Sequence, residues 1–541
     1  MQTSELSKVK QDLIAEIEKR VDDHVLEPSN AELLTKLIAQ ADNDNEAISI
    51  AALGTTYKRT GLHFDKRLER LTHDIRYFCK NEELSFHTDD NKPVNKLIIG
   101  DNYEALQNLL VQYTGAVDVI YIDPPYGKDS MGEFAQTNYQ NAITRDNLLS
   151  MLYPRLQLAK QLLSDSGVIF CSIDDKNQAY VKCLFDEVFG ERNFITVFPR
   201  LTKKAGKTTD KIAINHDYVI TYAGNENVAI KMLDHYDEEY KHVDEFESER
   251  GKYKLSQTLD YDTLGYVNSL DYPITIDGIT YYAGNVSEEE YRKRKVENPK
   301  NGYRWRWSQE LFDFGYENGF IVVKGSRIYT KTYKNAVIEK QGMFYEVVAK
   351  ERKKTPSSLA LLENEYSNDN AKKELDSIFT VKVFDYSKPA ALIKTLVNLS
   401  EKDDAIILDF FAGSGTTGHA VLDLNKDGGN RTFILCQMNE KTDTTPNGIA
   451  YDVTAKRLKR IMTGECYDGT KDFEWIKKNK PYGGNLDVYE IDKVADFEYT
   501  EGKSPFDVID ETLYGQPRFA TLQEKIDWVC SHFGNARKQL D

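Results

Sequence analysis

Several features that define common classes of protein are scarce or missing in these 541 residues. The six cysteines, at positions 79, 171, 183, 436, 466 and 530, form no Cys-x-x-Cys pair, which predicts reduced thiols in a reducing compartment. Nine scattered histidines form no cluster, so we expect no metal site. No stretch approaches the roughly eighteen apolar residues of a membrane span, and the N-terminus lacks an apolar signal core. These absences predict a cytoplasmic protein without a membrane partner.

A tetrapeptide, Asp123-Pro124-Pro125-Tyr126, directly follows the apolar and β-branched residues 117–122, which predict a buried parallel strand. Ligands of open α/β sheets bind at the carboxyl ends of such strands. A carboxylate acceptor, a rigid backbone and an aromatic face are suited to hold a flat amino-heterocycle. The alternative is a turn that only ends the strand, because proline cannot continue a hydrogen-bonded ladder.

A second motif begins at a predicted strand, residues 405–409, and continues through Gly413 and Gly415 into a predicted helix at 416–425. Glycines let a ligand approach the backbone, and the start of the helix offers free N–H donors. A phosphate-binding P-loop would need a lysine after the last glycine, and the sequence has none there. A further strand at 432–436 is followed by Glu440, an acid suited to accept from ribose hydroxyls. Together these features favour a cofactor-binding loop over a plain strand-to-helix turn.

The pairing of Asp-Pro-Pro-Tyr at 123–126 with Asp-Phe-Phe-Ala-Gly-Ser-Gly-Thr-Thr at 409–417 resembles the amino-group DNA methyltransferases that use S-adenosylmethionine. The tetrapeptide precedes the cofactor loop, which is the order of the β class of that family. Flanking segments at 97–106, 154–156, 172–175, 215–218 and 387–389 resemble most closely the modification subunits of bacterial type III restriction systems. The resemblance covers residues 45–490 and is specific because several weak motifs occur in one order.

The resemblance implies a doubly wound, mostly parallel α/β sheet and methyl transfer to the N6 amine of adenine at specific DNA sites. Asp123 would accept one N–H of the amine and the carbonyl of Pro124 the other, so that the nitrogen lone pair points at the methyl group. Tyr126 would stack on a base that has left the duplex. Pro125 completes the catalytic motif. Methylation of cytosine C5 is disfavoured because it needs a thiolate, usually within Pro-Cys, and the sequence has no such dipeptide.

The resemblance also implies a set of cofactor-binding residues. They are Asp101, Lys388, Asp409, Phe410, Gly413, Ser414, Gly415 and Glu440. Asp101 would meet the adenine amino group, Glu440 the ribose, Phe410 the adenine or sulfonium region, and Lys388 the methionine carboxylate. The alternatives are a helix N-cap for Asp101 and a solvated lysine for Lys388.

The net charge of −17 argues against a DNA partner, since phosphate binding requires a basic surface. Residues 200–211 and 292–306 are nevertheless locally basic, although such runs are often ordinary solvated faces. The candidate DNA contacts are Arg200, Lys203, Lys204, Lys207, Arg304 and Arg306. The alternation at 303–307 predicts a half-buried strand with Trp305 and Trp307 on one face and the arginines on the other.

Length and pattern predict several domains, since 541 residues with 40% hydrophobic content can bury more than one core. The predicted units are a helical N-terminal arm at 1–75, catalytic parts at 76–224 and 379–494, an inserted target-recognition domain at 225–378 and a C-terminal appendage at 495–541. Amphipathic helices are expected at 6–21 and 30–41 within the arm.

Two alternatives to an adenine methyltransferase stay open: an N4-cytosine methyltransferase, and a DNA-recognition subunit that has lost methylation. Relatives that act on cytosine N4 usually begin the tetrapeptide with serine, so Asp123 favours adenine. The sequence contains no helicase or nuclease motif. The resemblance therefore implies double-stranded DNA, a second copy of the chain and a separate helicase-nuclease restriction subunit as partners in a bacterial cytoplasm.

Overall fold

A computed structural model describes residues 7–22, 26, 28–53, 74–126, 144–204, 211–226, 228–234, 240–255, 257–385, 387–495 and 504–533. Among the described residues, ten strands form the central sheet, and nine of them follow one another side by side. They are β1 (Asp74–Lys80), β2 (Val94–Ile99), β3 (Val117–Ile122), β4 (Leu163–Ile173), β5 (Phe194–Leu201), β6 (His216–Ala223), β7 (Ile406–Asp409), β8 (Thr432–Gln437) and β9 (Asn485–Ala495). Their spatial order is β1-β9-β2-β8-β7-β3-β4-β6-β5, and the short strand Phe86–His87 also pairs with β9.

The sheet is mostly parallel. The strands from β9 to β4 in this order all run parallel to their neighbours, while the β1–β9, β4–β6 and β6–β5 pairs are antiparallel. All six residues of β3 are buried. Val119 and Tyr121 lie in one core and Ile120 and Ile122 in the other, as expected when helices cover both faces of a strand. The prediction of a doubly wound α/β sheet is confirmed.

Helices cover both faces of this sheet. They are Asn102–Tyr113, Thr144–Leu162, Gln178–Phe189, Ala390–Val397, Thr416–Leu424, Lys456–Thr463 and Glu474–Lys478, with a π-helical turn at Ala450–Ala455 and 3-10 turns at Glu191–Asn193 and Asn425–Asp427. The helix predicted at 416–425 is confirmed and spans Thr416–Leu424. Among the residues that the structure describes, no helix is both long and apolar enough to cross a membrane.

The N-terminal region forms three helices, Lys8–Asp22, Pro28–Gln40 and Asp44–Leu53. Ile17, Ile38 and small alanines build a core between them. Both amphipathic helices predicted for this arm are confirmed.

The region between β6 and β7 consists of small antiparallel pairs and short helices. The pairs are Tyr253–Lys254 with Thr332–Tyr333, Asp260–Thr263 with Gly302–Trp305, Ile274–Ile276 with Ile279–Tyr281, Ile321–Lys324 with Arg327–Thr330, Ala336–Gln341 with Phe344–Ala349, and Leu233–Asp234 with Lys353–Lys354. The helices are Glu247–Arg250, Glu288–Glu297, Gln309–Glu317 and Asn368–Ile378, with 3-10 turns at Asn268–Leu270 and Asn364–Tyr366. Trp305 lies in a separate core of this region.

The C-terminal segment contains the helices Pro505–Val508 and Leu522–Phe533 and a 3-10 turn at Glu511–Tyr514. The buried Tyr514 hydroxyl accepts from the backbone N–H of Phe78 (2.8 Å) and donates to Asn108 Oδ1 (2.7 Å). Val529 lies in the same core as β3. Residues 504–533, expected as an appendage, therefore pack against β1 and the helix Asn102–Tyr113.

Candidate active site

The two sequence motifs meet where the chain order of the sheet reverses. Strands β3 and β7 are neighbours and parallel, with Val119 opposite Ile407 and Ile120 opposite Leu408. From β3 the chain continues to β4 on one side, and from β7 it continues to β8 on the other. Ligands of open α/β sheets bind in the crevice at such a switch point. Residues 123–126 and 410–415 follow these two strands and so lie at this crevice.

Lys388 lies between the acid and the ring of the tetrapeptide. Its Nζ donates to Asp123 Oδ1 (2.6 Å) and to the Tyr126 hydroxyl (2.9 Å), and the Tyr126 hydroxyl donates to the same Asp123 oxygen. The Lys388 side chain is only 9% exposed and that of Asp123 is 20% exposed. The solvated-lysine interpretation of Lys388 therefore does not fit the structure. Both donors use Oδ1, so Asp123 Oδ2 accepts neither of these bonds.

Burial, together with the Asp123 carboxylate, raises the pKa of Tyr126 well above its usual value, so its hydroxyl stays protonated and donates. The backbone carbonyl of Tyr126 accepts from Asn177 Nδ2 (3.0 Å), which also donates to Asp174 Oδ1 (2.8 Å). Asn177 precedes the helix Gln178–Phe189 and follows β4, the next strand along the sheet. The tetrapeptide is thus held from two sides, by Asn177 after β4 and by Lys388 before the helix Ala390–Val397.

Both glycines of the loop have a left-handed backbone. Gly413 and Gly415 adopt φ values of +52° and +79°, in the left-handed region that favours glycine. The Gly413 N–H donates to Gln437 Oε1 (2.6 Å), and the Gly413 carbonyl accepts from Thr454 Oγ1 (2.6 Å). A Cβ atom at Gly415 would lie 3.2 Å from Thr454 Cγ2, so the loop packs closely on the π-helical turn.

Asp409 lies beneath this loop rather than at its surface. It is 2% exposed, accepts from the Phe411 N–H (3.0 Å), and also accepts from the Thr417 hydroxyl. Burial raises the pKa of Asp409 to about 7. The nearby Asp123 carboxylate also raises this pKa, whereas the two hydrogen bonds lower it. Asp409 therefore joins the strand end to the first turn of the helix Thr416–Leu424.

Arg457 supports the loop from below, and the sequence analysis did not select it. Its side chain is fully buried, and Nη1 donates to Ser414 Oγ (3.1 Å) and Thr416 Oγ1 (2.9 Å). Its Nη2 lies 3.0 Å from His419 Nδ1 and 3.7 Å from Glu374 Oε2. Burial lowers the pKa of Arg457 and brings that of His419 to about 4, so the histidine is neutral and can accept. In the sequence nothing separates Arg457 from its basic neighbours.

Asp101 and the following residue, Asn102, lie where the first βα unit meets the cofactor loop. Its Oδ1 caps the helix Asn102–Tyr113 by accepting from the Tyr103 N–H (2.7 Å), and its carboxylate pairs with Arg155 (3.2 Å). Asn102 Nδ2 donates to the carbonyl of Phe410 (2.8 Å). The N-cap interpretation of Asp101 is confirmed. Arg155 orients the Asp101 carboxylate. It belongs to the flanking segment 154–156 but was not predicted as a site residue.

Two other predicted cofactor residues lie at the same edge of the sheet. Glu440 follows β8, and its carbonyl accepts from the Ile449 N–H (2.9 Å). The Phe410 ring is 1% exposed and packs 5.2 Å from the Phe411 ring, centroid to centroid. The Phe410 ring therefore belongs to the hydrophobic core.

The predicted DNA contacts fall into three groups. Arg200 is 0% exposed and is held by the Asp217 carboxylate and by the Tyr366 carbonyl (2.7 Å), so it fastens the edge of the sheet instead of presenting a cation to phosphate. That expectation is corrected: a charge pattern does not distinguish a buried arginine from a surface one. Lys203 is half-buried and Lys204 is exposed, and Lys207 lies outside the residues that the structure describes.

Arg304 and Arg306 share one face, as predicted. Their guanidinium groups lie 5.2 Å and 4.2 Å from the centre of the Tyr261 ring, whereas Trp305 is buried on the opposite side. The strand Gly302–Trp305 ends before Trp307, which is half-buried. In the described part of the chain no group of three acidic, histidine or cysteine side chains could hold a metal ion.

Comparisons with known proteins agree with this geometry. A family model described as DNA methylase matches residues 117–444, and a model described as an uncharacterised conserved protein matches residues 5–119. The Mod subunit of the type III restriction-modification enzyme StyLTI of Salmonella typhimurium is 32% identical over 406 residues, which cover 68% of this chain and 57% of that subunit. The EcoPI Mod subunit of Escherichia phage P1 is 28% identical over 482 residues, or 78% of this chain and 69% of the relative.

A shorter relative is matched over nearly its whole length. The type II methyltransferase M.KpnI of Klebsiella pneumoniae is 30% identical over 413 residues, which cover 71% of this chain and 90% of that enzyme. Among solved structures, the cytosine-N4-specific PvuII DNA methyltransferase is similar over 71% of this chain and 97% of its own, with 10% identity and a TM-score of 0.35. The chain spans only about half of the StyLTI subunit. The family match includes both motifs of the crevice, and this chain belongs to the DNA methylase family.

Proposed function

We propose that this protein transfers a methyl group from S-adenosylmethionine to the N6 amine of adenine at specific sites in double-stranded DNA. The observation that carries the proposal is the position of Asp123 at the switch point, beside the glycine loop that follows β7. Similarity to type III Mod subunits supports a role as the modification subunit of a type III-like restriction-modification system in a bacterial cytoplasm.

The loop fits the cofactor. Gly413 and Gly415 supply the left-handed backbone that shapes the loop, and the first turn of the helix Thr416–Leu424 begins with N–H groups that have no partner within the helix. Buried Arg457 adds positive charge beneath this turn, which favours an anionic group such as the methionine carboxylate. When bound, S-adenosylmethionine supplies an electrophilic methyl group on sulfur.

The remaining cofactor contacts lie along the same edge. Glu440 would accept from the ribose and Asp101 from the adenine amino group, while Ser414 and Asp409 hold the loop in shape. The Lys388 ammonium already donates to Asp123 Oδ1 and to the Tyr126 hydroxyl. We therefore assign the carboxylate of the cofactor to the N–H groups at the helix start, with Arg457 as the residue that positions this turn from below, and assign Lys388 to the orientation of the acid.

The base would be held by the tetrapeptide. The exocyclic amine is a weak nucleophile because its lone pair is delocalised into the ring. Asp123, through Oδ2, and the Pro124 carbonyl would accept its two N–H bonds, which pyramidalises the nitrogen and stabilises the charge that develops on it. Pro125 restricts the backbone that aims this carbonyl. Tyr126 would stack on the flipped base.

Recognition of DNA would fall to the region 225–378, where Arg304 and Arg306 lie on one face, assisted by Lys203 and Lys204. The catalytic parts would be 76–224 and 379–494, with the helical arm at 1–75 and residues 495–541 as flanking units. A homodimer and a separate restriction subunit complete the proposal, and mass photometry of the purified protein tests the dimer directly.

The test is nucleoside mass analysis of DNA treated with the protein and methyl-labelled S-adenosylmethionine. We expect labelled N6-methyladenine. Labelled N4-methylcytosine would overturn the adenine assignment in favour of the chemistry of the PvuII enzyme. DNA binding without any label, in both the wild type and Asp123→Ala, would instead favour a recognition subunit that has lost methylation.

A further inference from the structure

A β-hairpin in the inserted region presents two large apolar side chains at its tip. In the paired strands Ala336–Gln341 and Phe344–Ala349, Gln341 lies opposite Phe344, so Gly342 and Met343 form a two-residue turn. Met343 is 86% exposed and Phe344 is 77% exposed. Phe344 is the most exposed phenylalanine in the described part of the chain. Adjacent apolar side chains held in water at a protruding turn indicate a contact surface.

The base of the hairpin is fixed while its tip is free. Ile338 and Val347 pack against the small core around Tyr333, and the Tyr345 ring lies 5.9 Å from the Phe314 ring, centroid to centroid. Gly342 has a φ of +63°, as the first position of a tight two-residue hairpin turn requires. The tip can therefore enter a narrow space without rearrangement of the strands that carry it.

The charge around the hairpin identifies the kind of partner. Residues 324–354 contain nine lysines and arginines and three glutamates, although the whole chain has a net charge of −17. Exposed Lys340 lies one residue pair from the tip. Glu339 lies opposite Glu346, and the Glu339 carboxylate is paired with Lys350 (2.6 Å). An apolar tip on a cationic support is complementary to the stacked bases and phosphates of a nucleic acid.

We propose that Met343 and Phe344 form a wedge that enters the base stack of duplex DNA next to the target base. The inference rests on the proposed function. Apolar side chains inserted between base pairs unstack them, and an aromatic ring can replace the stacking that an extruded base gives up. The wedge lowers the free energy of the extruded state, so it acts on the step that brings the base to Asp123 rather than on methyl transfer itself.

The wedge is tested with the full-length protein and a duplex that carries its methylation site, identified by sequencing the DNA that it methylates. The variant combines Met343→Ser and Phe344→Ser, and Phe344→Trp serves as a conservative rescue. Leu522→Ser is the matched control, because Leu522 is 64% exposed on a C-terminal helix. Two quantities are measured: kcat/KM on a paired site and on a site whose target adenine is mismatched, and the fluorescence of 2-aminopurine at the target position.

We expect the serine variant to lose about tenfold or more in kcat/KM on the paired site and much less on the mismatched site, where the base is already unstacked. The 2-aminopurine signal should fall in the variant and persist with tryptophan at 344 and in the control. The wedge would be overturned if kcat/KM of the serine variant equalled that of the wild type, or fell equally on both duplexes. Methylation by the wild type would still uphold the proposed function. A serine variant that is unimpaired on DNA and fails only to associate with a protein would show a protein-docking tip and also overturn it. If the wild type methylates no DNA, the proposed function fails, and the wedge fails with it.

Discussion

Replacing Lys388 with methionine should separate its orienting role from its contribution to folding. The substitution keeps the length of the side chain and removes two hydrogen bonds, to Asp123 Oδ1 at 2.6 Å and to the Tyr126 hydroxyl at 2.9 Å. A hydrogen bond to a charged group contributes about 1.5–3 kcal/mol. Asp123 is one-fifth exposed and keeps its hydrogen bond to Tyr126, so we expect the lost interactions to raise the free energy of the transition state by about 2 kcal/mol. This corresponds to roughly a thirtyfold lower kcat/KM.

The chain offers a matched control on the same strand. Lys402 pairs with Asp118 at 2.5 Å, and Asp118 lies near the beginning of β3 whereas Asp123 follows its end. Lys402→Met removes a lysine–aspartate pair of the same kind at the opposite edge of the sheet. We expect both variants to lose thermal stability and only Lys388→Met to lose methyl transfer, measured at saturating cofactor with melting temperatures in parallel. Wild-type kcat/KM in Lys388→Met would refute the orienting role. A higher rate would show instead that Lys388 masks Asp123.

Three further outcomes follow from other parts of the fold. Arg457→Met should weaken the binding of S-adenosylhomocysteine, measured by calorimetry, by about tenfold or more. The binding of methylthioadenosine should weaken much less, because that nucleoside lacks the carboxylate. Equal losses of affinity for both ligands would contradict the assignment. Asp409 has a folded pKa of about 7, above its unfolded value, so the folded state binds the extra proton between about pH 4 and pH 7. Relative to Asp409→Asn, the wild type should therefore lose unfolding free energy, by up to about 4 kcal/mol, as the pH rises through that window; a pH-independent difference in denaturant titrations would refute it. Tyr514→Phe removes the hydroxyl that pairs with the Phe78 N–H and with Asn108 Oδ1. It should destabilise the protein by about 1–3 kcal/mol in thermal unfolding and leave kcat unchanged. An unaltered melting temperature would show that the contact is unimportant.

The sequence was sufficient to predict the features that depend on local pattern. The run before Asp123 is strand β3, and the glycines at 413 and 415 adopt the left-handed conformations that a cofactor loop needs. The two motifs lie together in the structure because the strands that precede them, β3 and β7, are parallel neighbours and end at the same edge of the sheet. These predictions succeed because hydrophobic periodicity and glycine conformation are properties of neighbouring residues.

Features that depend on distant partners could not be predicted in this way. Arg200 and Arg457 are both buried cations, one fastening a sheet edge and the other a loop, and their partners lie 17 or more residues away along the chain. Lys388 was predicted at the site, but its contact with Asp123 was not, because the two residues lie 265 positions apart in the chain. The C-terminal segment looked separate because the tyrosine that joins it to the core has no local signature.

The central claim is that Asp123 directs methyl transfer to adenine N6, and mass analysis of nucleosides tests it most directly. DNA is treated with wild type or with Asp123→Ala in the presence of methyl-labelled S-adenosylmethionine, and DNA binding is measured on the same samples. We expect labelled N6-methyladenine from the wild type and none from Asp123→Ala, with DNA binding retained. Labelled N4-methylcytosine, or undiminished N6-methyladenine from Asp123→Ala, would contradict the claim.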